Sequence, residues 1–471
     1  MRSLFLIFFS FFFQILLAQN TDSSFYFSSA KYLQKYVQLE SISGNEYEAG
    51  KYFYNLGKDL GLHAELLTDE ESKINVAVSL FPLDEKKENI ILLSHIDVVP
   101  EGELSNWKYP PYSGAIVNDT LWGRGALDDK GPGMMQLMAL AKIKEKFNPK
   151  DAPYNVTVLA VSDEETGGKN GAAIIVDEYL EKLNPHTILG EGGSGISGVV
   201  QSDLEKKIFG IAVAEKSTLW LQLKINERSM GHGSTPPNKY ASKSMLRALN
   251  RLMEKKDKIR FTNATKQMFK EAGAYENGAR KFVMKRLHWK IFRPVVRNLI
   301  NTEPLFKTMV TNTAVLTSIN TPNGTPNQIS NEIIATLDCR LLPGYNTKKF
   351  INELKLTLRN PRIDIEIIEE GINALPSEKN MIYEIMRESI LSYYPNSGVV
   401  PILFPASSDN NFFREKNIPS YGIHPIYLEE ELLETIHNSN ERISLQAYYQ
   451  SIDVYCDFLE KILKLQLATN E

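Results

Sequence analysis

Two hydrophobic patterns alternate along the chain. Ile90-Ile91-Leu92-Leu93 and Val156-Thr157-Val158-Leu159-Ala160-Val161 are continuous apolar runs of strand length, as in strands buried on both faces of a parallel sheet. Helices are expected over 28–40, 46–61, 131–147 and 171–183. The second is amphipathic, with Tyr47, Phe53, Leu56 and Leu60 as its apolar positions, and Gly61 closes it. Thr187 to Gly190 reads as a short strand. Near Glu215 the texture changes. Leu219, Leu221, Leu223 and Ile225 alternate with polar residues, as in a strand with one wet face. A helix (238–255), a basic irregular stretch (256–307), strands near 309–319 and 331–342, a helix (347–357) and a strand (363–369) follow. Helices at 379–393 and 444–465 return to the first texture. Alternating strands and helices predict an α/β fold with an open βαβ-type sheet. The sheet domain is assembled from 19–215 and 371–471, with an α+β module inserted at 216–370.

Length and charge narrow the function. A chain of 471 residues has room for two or three domains. Hydrophobic residues are 43% and charged residues 23%, which fits a packed globular protein. Lys plus Arg is 53 against 57 Asp plus Glu, so the chain as a whole lacks the basic excess of a nucleic-acid binder. Two cysteines, Cys339 and Cys456, form neither a disulfide framework nor a thiolate zinc site. At the N-terminus, Arg2 precedes an apolar run from Leu4 to Leu17, and Ala18-Gln19-Asn20 follows. This is the pattern of a signal peptide over 1–18. It predicts export to a periplasmic, extracellular or lumenal space, with no stable membrane insertion after cleavage. An uncleaved anchor is the alternative. No later stretch is long and apolar enough to span a bilayer.

Candidate chemistry collects at strand ends. In Ser94-His95-Ile96-Asp97-Val98-Val99-Pro100, His95 and Asp97 share a face of an extended backbone. A carboxylate so placed orients a metal-binding imidazole; a plain polar strand end has the same letters. Gly123-Arg124-Gly125-Ala126-Leu127-Asp128-Asp129-Lys130-Gly131 is a tight acidic loop before a helix. A carboxylate there can bridge two metal ions, and Asp129 can equally be a helix N-cap. In Ser162-Asp163-Glu164-Glu165-Thr166-Gly167-Gly168 the adjacent glutamates point to opposite sides if extended. One can bind a metal while the other faces a water; a solvated acidic loop is the alternative. Glu191, in Leu189-Gly190-Glu191-Gly192-Gly193, ends a third strand, and His437 precedes the last helix. Sites in open α/β sheets form beyond the carboxyl ends of strands, so three such motifs at three strand ends point to one site. Imidazole and carboxylate without thiolate suit zinc, with cobalt or manganese as substitutes. Gly193-Ser194-Gly195-Ile196-Ser197-Gly198 matches the dinucleotide fingerprint. No helix opens after it, and Val199 to Asp203 reads as strand and turn, so it is taken as a glycine loop. Neither GxSxG nor HExxH occurs.

Taken in order, SHIDVVP, GRGALDDKG, SDEETGG, LGEGG, GHGSTP, NQISNE with DCRLLPG, and IHNSNER resemble the zinc aminoacylase/carboxypeptidase family. The similarity covers nearly the whole chain after the leader and is greatest to its carboxypeptidase S branch, which includes N-fatty-acyl amino acid hydrolases. The resemblance implies a three-layer catalytic domain and a lid domain of the dimerisation type. It implies two Zn2+ per chain, one held by His95, Asp128 and Glu191, the other by Asp128, Glu165 and His437, with Asp128 as the bridge. Glu164 is then the general base and Asp97 orients His95. A cis peptide is implied at Asp128-Asp129. The branch often reads Asp-Glu-Gly where this chain has Gly190-Glu191-Gly192; the glutamate is kept.

In the lid, the resemblance makes His232 of Gly231-His232-Gly233-Ser234-Thr235-Pro236 a donor to the oxyanion, and makes Asn327 and Arg340 substrate-holding residues. Arg340 would pair with a free carboxylate; from the residues alone it is equally a strand ion pair with Asp338. The lid is expected to close about a hinge near 215 and 370. The implied substrate is a small peptide or N-acyl amino acid with a free carboxylate, and the implied assembly a monomer or lid-mediated homodimer. Residues 256–307 read either as lining for a bulky acyl group or as a basic-faced elaboration of the lid. A binding protein on the same fold and a different metal hydrolase, such as a phosphoesterase, are the rival readings.

Overall fold

A computed structural model describes residues 23–465, apart from 72, 84–85, 228–230 and 323–326. The expected leader lies outside the described residues. Among those residues no helix is long and apolar enough to cross a membrane.

The main sheet has eight strands. Their order is His63–Glu70, Lys73–Ser79, Asn155–Val161, Asn89–His95, Pro185–Ile196, Ser420–Tyr427, Ile208–Glu215 and Gly398–Phe404. The third to sixth of these run parallel. Every residue of Asn89–His95 and Asn155–Val161 is buried, because helices cover both faces. Ile90, Leu92, Val156 and Val158 face the layer that holds Lys130–Ile143 and Leu445–Leu463. Ile91, Leu93, Leu159 and Val161 face Ala172, Ile175 and Phe413 on the other side. The alternation of side chains along a strand thus divides one apolar run between two cores, giving three layers.

The strand expected at 187–190 continues to Ile196. A Cβ on Gly193 would lie 1.8 Å from the Gly210 carbonyl oxygen, and one on Gly192 would lie 2.7 Å from the Gly422 Cα. These glycines let the strand pass close to two neighbours. The glycine-loop expectation is therefore corrected: 193–196 is strand, and Val199 to Asp203 holds turns only.

The inserted module is a four-stranded antiparallel sheet, ordered Thr313–Asn320, Glu332–Leu341, Ser217–Asn226 and Asp364–Glu370. Leu219, Leu221, Leu223 and Ile225 are buried beneath Ala241–Met253 and Thr347–Leu358, as their alternation predicts. The stretch 256–310 behaves differently from a lid decoration. Its helix Asn263–Ala272 packs on Gly398–Phe404 of the main sheet. The Tyr275 hydroxyl lies 3.2 Å from the Val399 amide nitrogen and 3.4 Å from its carbonyl oxygen. The Glu276 carboxylate accepts from the Gln201 and Ser202 amides at 3.1 and 3.2 Å. At its other end, Arg260 reaches Tyr345 at 2.9 Å and Glu353 at 3.3 Å in the inserted module. The segment is a strut between the two bodies, added to the chain crossings near 215 and 370.

Lys216 occupies the first crossing. It is fully buried and donates from Nζ to the Thr311 carbonyl at 2.9 Å. Burial, then the nearby Arg340 charge, pulls its ammonium down to about 7. An unfolded lysine keeps its proton to about pH 10.4. The unfolded chain therefore binds the proton more tightly, and the cost to stability is full below about pH 7 and fades as pH rises toward about 10. Lys216→Met is expected to melt above the parent at acidic pH, with the gap shrinking in alkali. A pH-independent gap in thermal melts would show that packing sets the difference.

Candidate metal centre

The main sheet delivers the polar residues to one end. His95 is the last residue of Asn89–His95. Glu164 and Glu165 follow Asn155–Val161 in a tight turn, entered through Asp163 at φ +68°. Glu191 lies within Pro185–Ile196. Asp128 comes from the loop before Lys130–Ile143, and the Asp128-Asp129 peptide is cis. His437 stands at φ +59°, in the left-handed region.

These groups converge. His95 Nε2 is 3.0 Å from Asp128 Oδ1. His437 Nε2 is 2.9 Å from Asp128 Oδ2 and 3.2 Å from Glu165 Oε1. Asp128 thus turns one oxygen to each imidazole. Ligand atoms of His95, Glu164 and Glu191 lie within 4.8 Å of one another, as do those of His95, Asp128 and Glu165. Asp97 is fully buried, with one carboxylate oxygen 3.5 Å from His95 Nδ1 and its carbonyl oxygen 2.9 Å from the same nitrogen. The same carboxylate accepts from Ser43 Oγ at 2.7 Å and from the Glu164 and Glu165 amides at 3.1 Å each. It therefore holds the histidine and the glutamate turn together.

The electrostatics call for a cation. Burial, then the charge of Glu191, pushes Glu164 well above the usual carboxylate range; burial, then Asp128, does the same to Glu191. Bonds to Asp128 and then Glu165 raise the His437 imidazole to about 10, so protons offset part of the crowded negative charge. A divalent ion offsets it better. Two imidazoles and a set of carboxylates around one bifurcated aspartate fit zinc, cobalt or manganese.

A cleft of about 290 Å³ lies over this cluster, lined from below by Asp128, Glu164, Glu165, Glu191 and His437 and from the inserted sheet by Thr218, Trp220 and Arg340. Arg340 forms the ion pair with Asp338, at 3.0 Å from Nε and 3.2 Å from Nη2, and it also lines the cleft. Its Nη1 donates to Thr218 Oγ1 at 2.8 Å. One N–H on each of Nη1 and Nη2 remains for a ligand. His232 and Asn327 are elsewhere. They share an exposed two-stranded ribbon, where Gly233 N donates to Asn327 O at 2.9 Å and His232 Nδ1 is 2.8 Å from Ser234 Oγ. Neither lines the cleft.

Residues 91–461 match peptidase family M20/M25/M40. The chain belongs to this family. It is accordingly a metal-dependent hydrolase of the metallopeptidase or amidohydrolase type. A Dictyostelium discoideum protein named probable carboxypeptidase S-like 2 is 28% identical over 388 residues, 81% of this chain and 73% of that one. An N-fatty-acyl-amino acid synthase/hydrolase of Mus musculus is 28% identical over 375 residues, 79% of this chain and 73% of that one. Among solved structures, an M20 family metallo-carboxypeptidase of Sulfolobus solfataricus superposes with a TM-score of 0.72 at 21% identity, covering 93% of this chain and 99% of that one. Human carnosine dipeptidase 1 gives 0.68 at 14% identity, covering 95% and 98%. These likenesses at low identity bear on the fold.

In this M20 hydrolase three carboxylates have roles that sequence spacing did not give. Glu441 is fully buried. Its carboxylate accepts from Arg124 Nη1 (2.8 Å) and from the amides of Gly125 (3.1 Å), Leu127 (2.8 Å) and Asp128 (3.1 Å), so it moulds the loop that presents Asp128. Glu215 does the same for the loop 407–411, through Arg414 at 2.7 Å, Ser408 N at 2.8 Å and Asn410 Nδ2 at 3.2 Å. Asp129 stands at the N-cap position but caps no helix amide; its Oδ2 instead accepts from His95 N at 3.2 Å. Glu441 and Arg124 are 317 residues apart in sequence, and only the fold pairs them.

Proposed function

We propose that this protein hydrolyses the amide bond of a small peptide or N-acyl amino acid bearing a free carboxylate, as a carboxypeptidase S-like exopeptidase or an N-acyl amino acid hydrolase. The observation that carries the reading is Asp128, with one oxygen turned to His95 and one to His437 at the floor of a cleft roofed by Arg340. His95, Asp128 and Glu191 would hold one Zn2+, and Asp128, Glu165 and His437 the other. Such a pair supplies an acidified water and a Lewis acid for the carbonyl.

The chain's own groups do the rest. Glu164 takes the proton of the attacking water on its carboxylate and returns it to the leaving nitrogen. Asp97 fixes the orientation of His95 and the backbone of Glu164. Arg340, oriented by Asp338 and Thr218, offers its two remaining N–H groups to the substrate carboxylate. Trp220 and Phe412 in the cleft lining give an apolar wall for the acyl or side-chain portion. His232 and Asn327 supply the oxyanion contact when the ribbon 231–232/328–329 swings to a cleft, either of its own chain or of a second copy in a lid-mediated dimer. The leader-like residues 1–18 direct the protein out of the cytoplasm.

The test is metal content per purified chain, paired with hydrolysis of N-acyl amino acids and dipeptides. Two zinc per chain and EDTA-sensitive release of free amino acid are expected. Absence of both metal and turnover after zinc is restored would leave a binding protein on this fold. Arg340→Met is expected to raise KM about 10–100-fold for substrates with a free carboxylate, the loss of a charged hydrogen-bond pair. The corresponding amides should change little. Equal effects on both would remove Arg340 from carboxylate recognition.

A further inference from the structure

The strut carries a surface that hydrolysis does not use. Residues 278–307 hold eight Lys and Arg and one acidic residue, Glu303, in a chain whose net charge is −4. Arg280 pairs with Glu276 and Lys307 with Asp257. Lys281, Lys285, Lys290, Arg293 and Arg297 have no acidic partner among the described residues. Between these cations, apolar side chains stand in solvent: Ile291 is 76% exposed, Phe282 51%, Trp289 48% and Val295 42%. The arrangement is ordered. The Arg286 guanidinium lies 4.1 Å from the Phe282 ring centroid and 5.4 Å from that of Trp289, and Phe282 meets Phe292 edge-on at 6.3 Å. Leu287 and Val296, each 1% exposed, root the patch in a core with Met268, Phe269 and Val310. Apolar residues are therefore plentiful enough to bury one face, and a second set is left outside.

We propose that this basic, aromatic face of 280–297 docks the protein on an anionic lipid surface. Cations around a projecting apolar tip are the composition of an interfacial anchor: the charges meet acidic headgroups, and the tip enters the acyl boundary. A second copy of the chain would bring like charges together. A nucleic acid would meet the phosphate-binding charges but would find the Phe282 face covered by Arg286 and no use for Ile291 and Val295. The docking reading is independent of the proposed hydrolysis.

The test is co-sedimentation of the purified protein with vesicles of phosphatidylcholine alone or with about 30% phosphatidylglycerol, at low and high salt. Two variants are compared with the parent, all with the same N-terminus so that the apolar run 4–17 contributes equally: Lys281→Glu/Lys290→Glu/Arg293→Glu, and Trp289→Ser/Ile291→Ser/Val295→Ser. These positions are exposed except for the contacts of Trp289, and thermal melts check that both variants fold. The parent is expected to bind anionic vesicles at least about tenfold more than neutral ones, less at high salt. The charge variant should lose at least about tenfold, and the apolar variant should also lose binding. Failure of the parent to prefer anionic vesicles overturns the proposal. So does a parent that binds heparin or nucleic acid while the apolar variant keeps full vesicle binding, since the face would then be a plain polyanion site.

Discussion

Glu164→Gln is expected to keep the parent's metal content and lose about 10²–10⁴ in kcat, the usual worth of a positioned general base. The change preserves shape and removes only the ability to take a proton. Glu164 lines the cleft beside Asp128 and Glu191, and its amide is fixed by Asp97, so the backbone should stay in place. KM should move little, because the group acts on the proton in flight. The outcome is informative because Glu164 also lies within ligand distance of His95 and Glu191. If zinc per chain falls by half in Glu164→Gln, the residue is a metal ligand and the base must be sought elsewhere, with Glu191 the nearest candidate.

The second large effect is structural in origin. Glu441→Ala removes an acceptor of four hydrogen bonds and strands Arg124, which is 1% exposed. Breaking a buried ion pair from one side costs about 3–5 kcal/mol, and three loop amides also lose their partner. The variant should unfold at clearly lower denaturant concentration and release metal faster, because the same loop carries Asp128. Glu441→Gln, which retains an oxygen for the amides, should fall between. Denaturant curves with and without zinc check both effects. An alanine variant with parental stability would mean that the loop is shaped by its glycines alone.

The sequence and the structure agree where local pattern and tertiary environment pull the same way. Asn89–His95 and Asn155–Val161 carry long apolar runs because they are central and buried on both faces, and the alternation in Ser217–Asn226 follows from its one wet face. Edge and antiparallel strands were harder. His63–Glu70 mixes acids with leucines on an exposed margin. Gly398–Phe404 and Ser420–Tyr427 contain glycine and proline that weaken the strand signal. Glycines in Pro185–Ile196 look like a loop until the neighbours they must clear are known. At the site, Asp128, Glu164, Glu165, Glu191 and His437 stood out as motifs because their chemistry is dense and local, whereas Trp220, Asp409 and Phe412, which also line the cleft, carried no such signal. Glu441, Glu215 and the amide-holding role of Asp129 were not visible, since a buried carboxylate is recognised only by partners far away in sequence. The strut was legible as basic and aromatic, but which body it leaned on was decided by Tyr275 and Glu276, two unremarkable letters.

The hydroxyl of Tyr275 also bears on solubility. Gly398–Phe404 is the last strand of the main sheet, rich in Val and Ile, and its outer margin is the kind of surface on which another chain's strand can add. Tyr275 contacts the main-chain groups of Val399, and Asn263–Ala272 shields the strand. The strut therefore covers part of that margin as well as bracing the two bodies. A shortened protein made by deleting 256–310 would uncover a sticky sheet margin, and its precipitation would be easily mistaken for loss of a substrate pocket.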